Sequence, residues 1–271
     1  MKATVLVDNI SNGGLCGEWG LSIYIEYEGK NILLDTGASD LFLKNAKELG
    51  KEIEDVDYAV LSHAHYDHSD GMDAFFKHNE KASFYLRKGS KENCYGKKWI
   101  FHKYIGLPKG ILEKQKERII FAEGDTSLCQ GVSLIPHKTA GLDEIGRENH
   151  MYIRTGSGWA ADDFSHEQSL VFDTDQGLVI FNSCSHGGAA NIIHEIKATY
   201  PGKTICALVG GFHIFGKKEA EVRRLAQHIK NTGVKEIYTG HCTGEHSFEI
   251  LKEELGDMVH QLKVGLEMEW L

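Results

Sequence analysis

The sequence predicts a layered α/β fold. A run of strand-like segments opens the chain, strands alternate with helices in its last third, and histidine clusters recur after the apolar strands. Residues 21–27 and 31–35, joined by Glu28-Gly29-Lys30, read as a hairpin that Thr36-Gly37 ends. Leu41, Phe42, Asn45 and Leu49 carry helical spacing over residues 40–49, with Gly50 as the stop. Residues 58–62 form a short apolar strand, and a histidine cluster begins at its end. From about 77 to 165 periodicity is weak, and loops and short elements covering a site are expected. Strands are expected again at 177–181, 204–209 and 236–238. Helices are expected near 189–199, near 217–231 closed by Gly233, and near 245–255 closed by Gly256.

Composition narrows the function. The chain has 271 residues, a length that suits one large domain or two small ones, and a single domain over 1–271 with a covering segment at about 84–165 is expected. A chain this long buries a core without staples, so a bound metal is expected to be catalytic rather than a folding aid. The formal charge of −9 argues against a nucleic-acid partner. No stretch of ~18 apolar residues is present, so no membrane span is expected. The opening, Met1 to Asp8, reads as a strand, not a signal peptide. The cysteines Cys16, Cys94, Cys129, Cys184, Cys206 and Cys242 include no C-x-x-C pair, which suits a reducing, cytoplasmic setting.

The chemistry gathers in Ser62-His63-Ala64-His65-Tyr66-Asp67-His68-Ser69-Asp70-Gly71. Alternate residues of an extended segment point the same way, so His63 and His65 can grip one metal from one side. Asp67 and His68 fall where the chain turns toward a helix, near a second metal. Imidazole and carboxylate suit zinc, iron or manganese. Each ion still lacks ligands, which must come from elsewhere in the chain. His186 and His241 follow later strands. The simplest assembly gives His63, His65 and His186 to one metal, and Asp67, His68 and His241 to the other. His213 follows its own strand and is expected to stabilise an oxyanion or donate a proton. His78, His102, His137, His194, His228 and His260 are read as ordinary histidines.

These residues carry a resemblance. His63-Ala-His65-Tyr-Asp67-His68, with Leu34-Asp35-Thr36-Gly37 upstream, resembles the metallo-β-lactamase superfamily. The resemblance implies a four-layer αββα sandwich with a dinuclear site at one edge of the two sheets. It also implies that Asp35 supports the metal loop without binding metal. Glu18-Trp-Gly-Leu-Ser22, Glu167-Gln168, Ser183-Cys184-Ser-His186-Gly, Gly210-Gly-Phe-His213 and Thr239-Gly-His241-Cys-Thr-Gly244 look like one branch. That branch is named for dihydropterin-ribofuranosylaminobenzene phosphate synthase. Many hydrolases of the superfamily end the strand that here reaches Cys184 with a metal-bridging aspartate. The first metal therefore has three competing donors, His186 first, then His166 and Cys184.

The expected function is metal-dependent hydrolysis or group transfer at an ester or phosphoester bond of a small anionic substrate, with two divalent ions, zinc foremost. Asp67 would orient the nucleophile, and basic residues of the 84–118 segment would meet the substrate's charge. Two other classes compete: a di-iron redox protein on the same fold, and a metal-dependent ligand-binding or sensor protein.

Overall fold

The structure, a computed structural model, describes residues 1–270. The chain begins with β1 (Lys2–Val7), β2 (Ser22–Tyr27), β3 (Lys30–Leu34), α1 (Leu41–Glu48), β4 (Tyr58–Val60), α2 (Tyr66–Ser69), α3 (Met72–His78) and β5 (Ser83–Arg87). The middle holds β6 (Cys94–Lys98), β7 (Phe101–Tyr104), α4 (Ile111–Lys114), β8 (Ile119–Ala122), β9 (Thr126–Cys129), β10 (Val132–Pro136), α5 (Leu142–Glu148), β11 (Met151–Thr155) and β12 (Gly158–Ala161). The last part comprises β13 (Gln168–Thr174), β14 (Gly177–Phe181), α6 (Ala189–Thr199), β15 (Ile205–Val209), α7 (Glu219–Thr232), β16 (Glu236–Thr239), α8 (Glu245–Leu255), β17 (Val259–Gln261) and β18 (Glu267–Glu269).

Two seven-stranded sheets form the centre, in the orders β18-β1-β2-β3-β4-β5-β8 and β17-β16-β15-β14-β13-β10-β9. Side-chain alternation along the strands sorts residues between layers. Ile32 and Leu34 of β3 face the second sheet and pack with Phe172, Phe181, Ala207 and Val209. Leu33, between them, faces outward against Phe42 and Ala46 of α1 and Phe75 of α3. On β15, Leu208 points outward to Ile192 of α6, Ala226 and Ile229 of α7, and Leu251 of α8. Helices thus cover both outer faces, and the architecture is an αββα sandwich. Each fully buried Leu, Ile or Phe contributes roughly 1.5–3 kcal/mol of apolar burial.

The 77–165 segment is more regular than its sequence suggests. Here β5 and β8 extend the first sheet while β9 and β10 extend the second. The rest of its strands form a separate antiparallel sheet, β12-β11-β6-β7. These strands are short and unevenly buried, as in β6, and the two hairpins β6-β7 and β11-β12 are joined by strands far apart in the chain, with Tyr95 opposite Tyr152. Local periodicity carries neither fact.

Both main sheets contain parallel runs, β3-β4-β5-β8 and β14-β15-β16-β17. Parallel strands release their connecting loops at one edge, and loops there carry function on a rigid frame. The segment holding His63 follows β4, and His186, His213 and His241 follow β14, β15 and β16. The two sheets meet at this edge: Ser183 Oγ, just past β14, donates a 2.6 Å hydrogen bond to Asp35 Oδ2, just past β3. Gly71, at the start of α3, lets that helix close on the 36–39 loop. A Cβ there would lie 2.4 Å from the Thr36 carbonyl oxygen and 2.5 Å from that of Ser39.

Candidate metal centre

Five buried imidazoles converge at the shared edge: His63, His65, His68, His186 and His241. In four of them the Nδ1 atom is engaged, which decides what Nε2 can do. Asp35 is the organiser. Its Oδ1 accepts the Ser62 N–H at 2.7 Å, and its Oδ2 accepts the Ser62 hydroxyl at 2.7 Å and pairs with His68 Nδ1 at 2.8 Å. A carboxylate only accepts, so His68 carries its proton on Nδ1 and keeps a lone pair on Nε2. Ser62 Oγ has given its hydrogen to Asp35, so it accepts from His63 Nδ1 at 2.8 Å. His186 Nδ1 faces Glu167 Oε2, and His241 Nδ1 faces Asn9 Oδ1 at 3.1 Å. Every Nε2 of these four therefore points inward with its lone pair, the arrangement in which outer groups orient metal-binding imidazoles.

The inward atoms form two sets. The donor atoms of His63, His65 and His186 lie within 4.8 Å of one another. Their Nε2 atoms are buried and have no hydrogen-bond partner. Around the second set, His241 Nε2 lies 3.2 Å from His68 Nε2 and 3.4 Å from Asp67 Oδ2, and His68 Nε2 lies 3.9 Å from the same oxygen. Buried lone pairs without donors are costly, and a cation in each set would satisfy them. The residues present fit divalent metal ions. Burial, then the neighbouring imidazoles, push His63 and His65 well below the usual histidine range, keeping them neutral. Burial would raise the Asp67 carboxyl, but His68, His241 and His65 hold it well below the ordinary carboxylate range.

The fold has counterparts among known proteins. Residues 20–150 match the family model described as the metallo-beta-lactamase superfamily. The chain superposes on the crystal structure of a metal-dependent hydrolase of the beta-lactamase superfamily with a TM-score of 0.81 and 28% identity, covering 100% of this chain and 99% of that one. Over residues 20–150 the chain is similar to the metallo-β-lactamase superfamily, whose fold it shares. Another similar protein is 7,8-dihydropterin-6-methyl-4-(beta-D-ribofuranosyl)-aminobenzene-5'-phosphate synthase of Methanocaldococcus jannaschii. It is 26% identical over 268 residues, with 94% of this chain and 90% of that protein covered. Zinc-bound PqqB of Methylobacterium extorquens, 10% identical, shares the fold with a TM-score of 0.57, over 100% of both chains.

Within the superfamily fold the three competing donors are now distinguishable. His166 accepts the Ala64 N–H on Nδ1 at 3.1 Å and donates from Nε2 to Asp162 at 3.1 Å, so both nitrogens are engaged. His186 keeps its Nε2 free and is steadied by the Phe164 ring stacked 4.7 Å away. Cys184 lies between the two sets, its Sγ 3.2 Å from His68 Nε2 and 3.4 Å from Cys242 Sγ. Its donor atom also lies within 4.8 Å of donors from His186 and His213. His213 presents its ring 4.6 Å from that of His186, and its Nδ1 is buried without a partner.

Several supporting residues escaped the sequence reading. His137, read as ordinary, is buried between two carboxylates, with Nε2 2.8 Å from Glu167 Oε1 and Nδ1 3.2 Å from Glu195 Oε2. Burial opposes its charge, but Glu167 and Glu195 outweigh that and lift it to about 10. Trp19 donates its indole N–H to Asp67 Oδ2 at 3.0 Å. Asp8 accepts the His241 backbone N–H at 3.0 Å. Of the basic residues in 84–118, Lys103 and Lys109 line a cavity of about 340 Å³ beside Tyr66 and Asp70.

Among the described residues no helix is long and apolar enough to cross a membrane.

Proposed function

We propose that the chain is a dinuclear metal-dependent hydrolase or group-transfer enzyme, acting within one domain over 1–271 on an ester or phosphoester bond of a small anionic substrate. The observation that carries this reading is the pair of donor sets whose lone pairs face inward at one sheet edge. In this reading His63, His65 and His186 hold one ion, and Asp67, His68 and His241 hold the other, with Cys184 between them. Imidazole with one carboxylate suits zinc, and the same donors accept iron or manganese. Two such ions acidify water and polarise the oxygen at the bond to be broken.

The chain's own groups do the positioning. Asp67, pinned by the Trp19 indole, orients the attacking oxygen. His213 presents its free Nδ1 beside His186 and either donates to the oxygen that gains charge or protonates the leaving group. Lys103 and Lys109 meet the substrate's negative charge. The name of the synthase relative supports a pterin or ribofuranosylaminobenzene phosphate type of substrate. The free cysteines support a reducing, cytoplasmic setting, and the charge of −9 supports a small-molecule partner rather than a nucleic acid.

The test compares wild type with His65→Ala, both purified anaerobically, for metal content and turnover of bis-p-nitrophenyl phosphate. About two ions per wild-type chain, with metal and turnover lost together in the variant, is the expected result. Less than one tightly held ion after reconstitution would overturn the reading.

A further inference from the structure

Beside the second donor set lies a cavity of about 470 Å³ whose chemistry differs from that of the metal centre. Its walls are Trp19, Phe215, Phe248 and Ile10, with Gln261 and Glu245 as polar groups. Trp19 and Phe215 meet edge to face, with ring centroids 5.9 Å apart. Both are large apolar side chains left open to solvent, 43% and 69% exposed. Such exposure of neighbouring aromatics marks a recognition surface. The backbone holds them there. The Phe215 N–H donates to the Cys242 carbonyl at 3.0 Å, and Gly244 keeps the space its ring occupies, since a Cβ there would lie 2.7 Å from Phe215 Cδ2. The cavity opens onto the catalytic edge, because His241 lines it and Trp19 also bonds Asp67. No Lys or Arg lines it among the described residues, and its one carboxylate is Glu245.

We infer that this cavity binds a flat aromatic or heteroaromatic ring, uncharged or cationic, against Trp19 and Phe215, with Glu245 facing the ring's N–H or charged edge. Its place on the substrate rests on the hydrolytic reading above: the ring sits here while the anionic end lies toward Lys103 and Lys109. An offset or edge-on contact with two aromatics favours a planar partner, and a lone carboxylate disfavours an anionic one.

The test titrates full-length protein with benzamidine, benzamide, benzoate and cyclohexanecarboxamide. Binding is followed by saturation-transfer NMR and tryptophan fluorescence, in metal-depleted and metal-loaded protein. In the metal-depleted form benzamidine and benzamide should bind at least about fivefold more tightly than the saturated amide or benzoate. Phe215→Ala should weaken both by about five- to tenfold, with Phe215→Leu equally weak because it restores bulk without a ring. Glu245→Gln should bring benzamidine down to benzamide. Affinities unmoved by Phe215→Ala, or benzoate binding as well as benzamidine without metal, overturn the inference. Ring binding that persists in a protein without phosphodiester turnover sinks the catalytic reading alone.

Discussion

His68 and His241 hold their Nε2 atoms 3.2 Å apart, while Asp35 and Asn9 take up the opposite nitrogens. Two lone pairs at that distance repel, and a shared cation turns the repulsion into attraction. When metal is absent a proton does part of the same work: against burial, the Asp67 hydrogen bond and the charges of Cys242, Asp67 and Asp8 lift His241 to about 9. Metal binding is therefore expected to stabilise the fold. Zinc at 100 times its Kd should add about 2.7 kcal/mol to the unfolding free energy of chelator-treated protein. A melting temperature that zinc leaves unchanged would count against the site.

Asp35→Asn should be costly despite its near-isosteric shape. The carboxylate accepts from Ser62 N, Ser62 Oγ and Ser183 Oγ and pairs with His68 Nδ1. An amide nitrogen placed among these donors leaves a buried group unpaired, at about 1–3 kcal/mol. It also frees the His68 ring, so metal affinity should fall about 10–100-fold. Urea unfolding and competitive chelation measure the two effects separately.

Gly71→Ala tests the link between fold and site. Its new methyl meets the Thr36 and Ser39 carbonyl oxygens, which are backbone and cannot swing aside. Thr36 N–H also donates to the His68 carbonyl at 2.8 Å. A loss of about 1–3 kcal/mol is expected, together with weaker metal binding. A variant as stable as wild type would show that the loop yields freely.

His137 predicts a pH dependence. Its folded pKa is raised from 6.5 to about 10, chiefly by Glu167 and Glu195 acting against burial. The folded state holds the proton more tightly than the unfolded chain, so this contribution is full below about 6.5 and is lost as pH rises toward about 10. Across that window the unfolding free energy of wild type should fall more steeply than that of His137→Gln. Parallel curves would show that the imidazolium does not support the fold.

The layered fold and the histidine cluster were legible because both are local. Residues 40–49, 189–199 and 245–255 carry helical spacing, and the helices Leu41–Glu48, Ala189–Thr199 and Glu245–Leu255 form there. His63, His65, Asp67 and His68 lie within one short segment, so their spacing alone announces shared chemistry. The 77–165 segment resisted because β5 pairs with β8, and β10 with β13, across stretches that hold other strands and helices and that no short window contains.

The sequence by itself determined the donor types, their order after the apolar strands, and the layered packing of strands with helices. Only the tertiary structure shows how the two competing histidines differ. His166 spends both nitrogens on Ala64 and Asp162, whereas His186 keeps one free. It also decided the supports. Asp8 and Asn9 reach His241, Trp19 reaches Asp67, and Glu195 reaches Glu167 through His137. These supporting partners lie tens to hundreds of residues apart, and a hydrogen bond depends on distances of a few ångströms that exist only once both sheets have closed on each other.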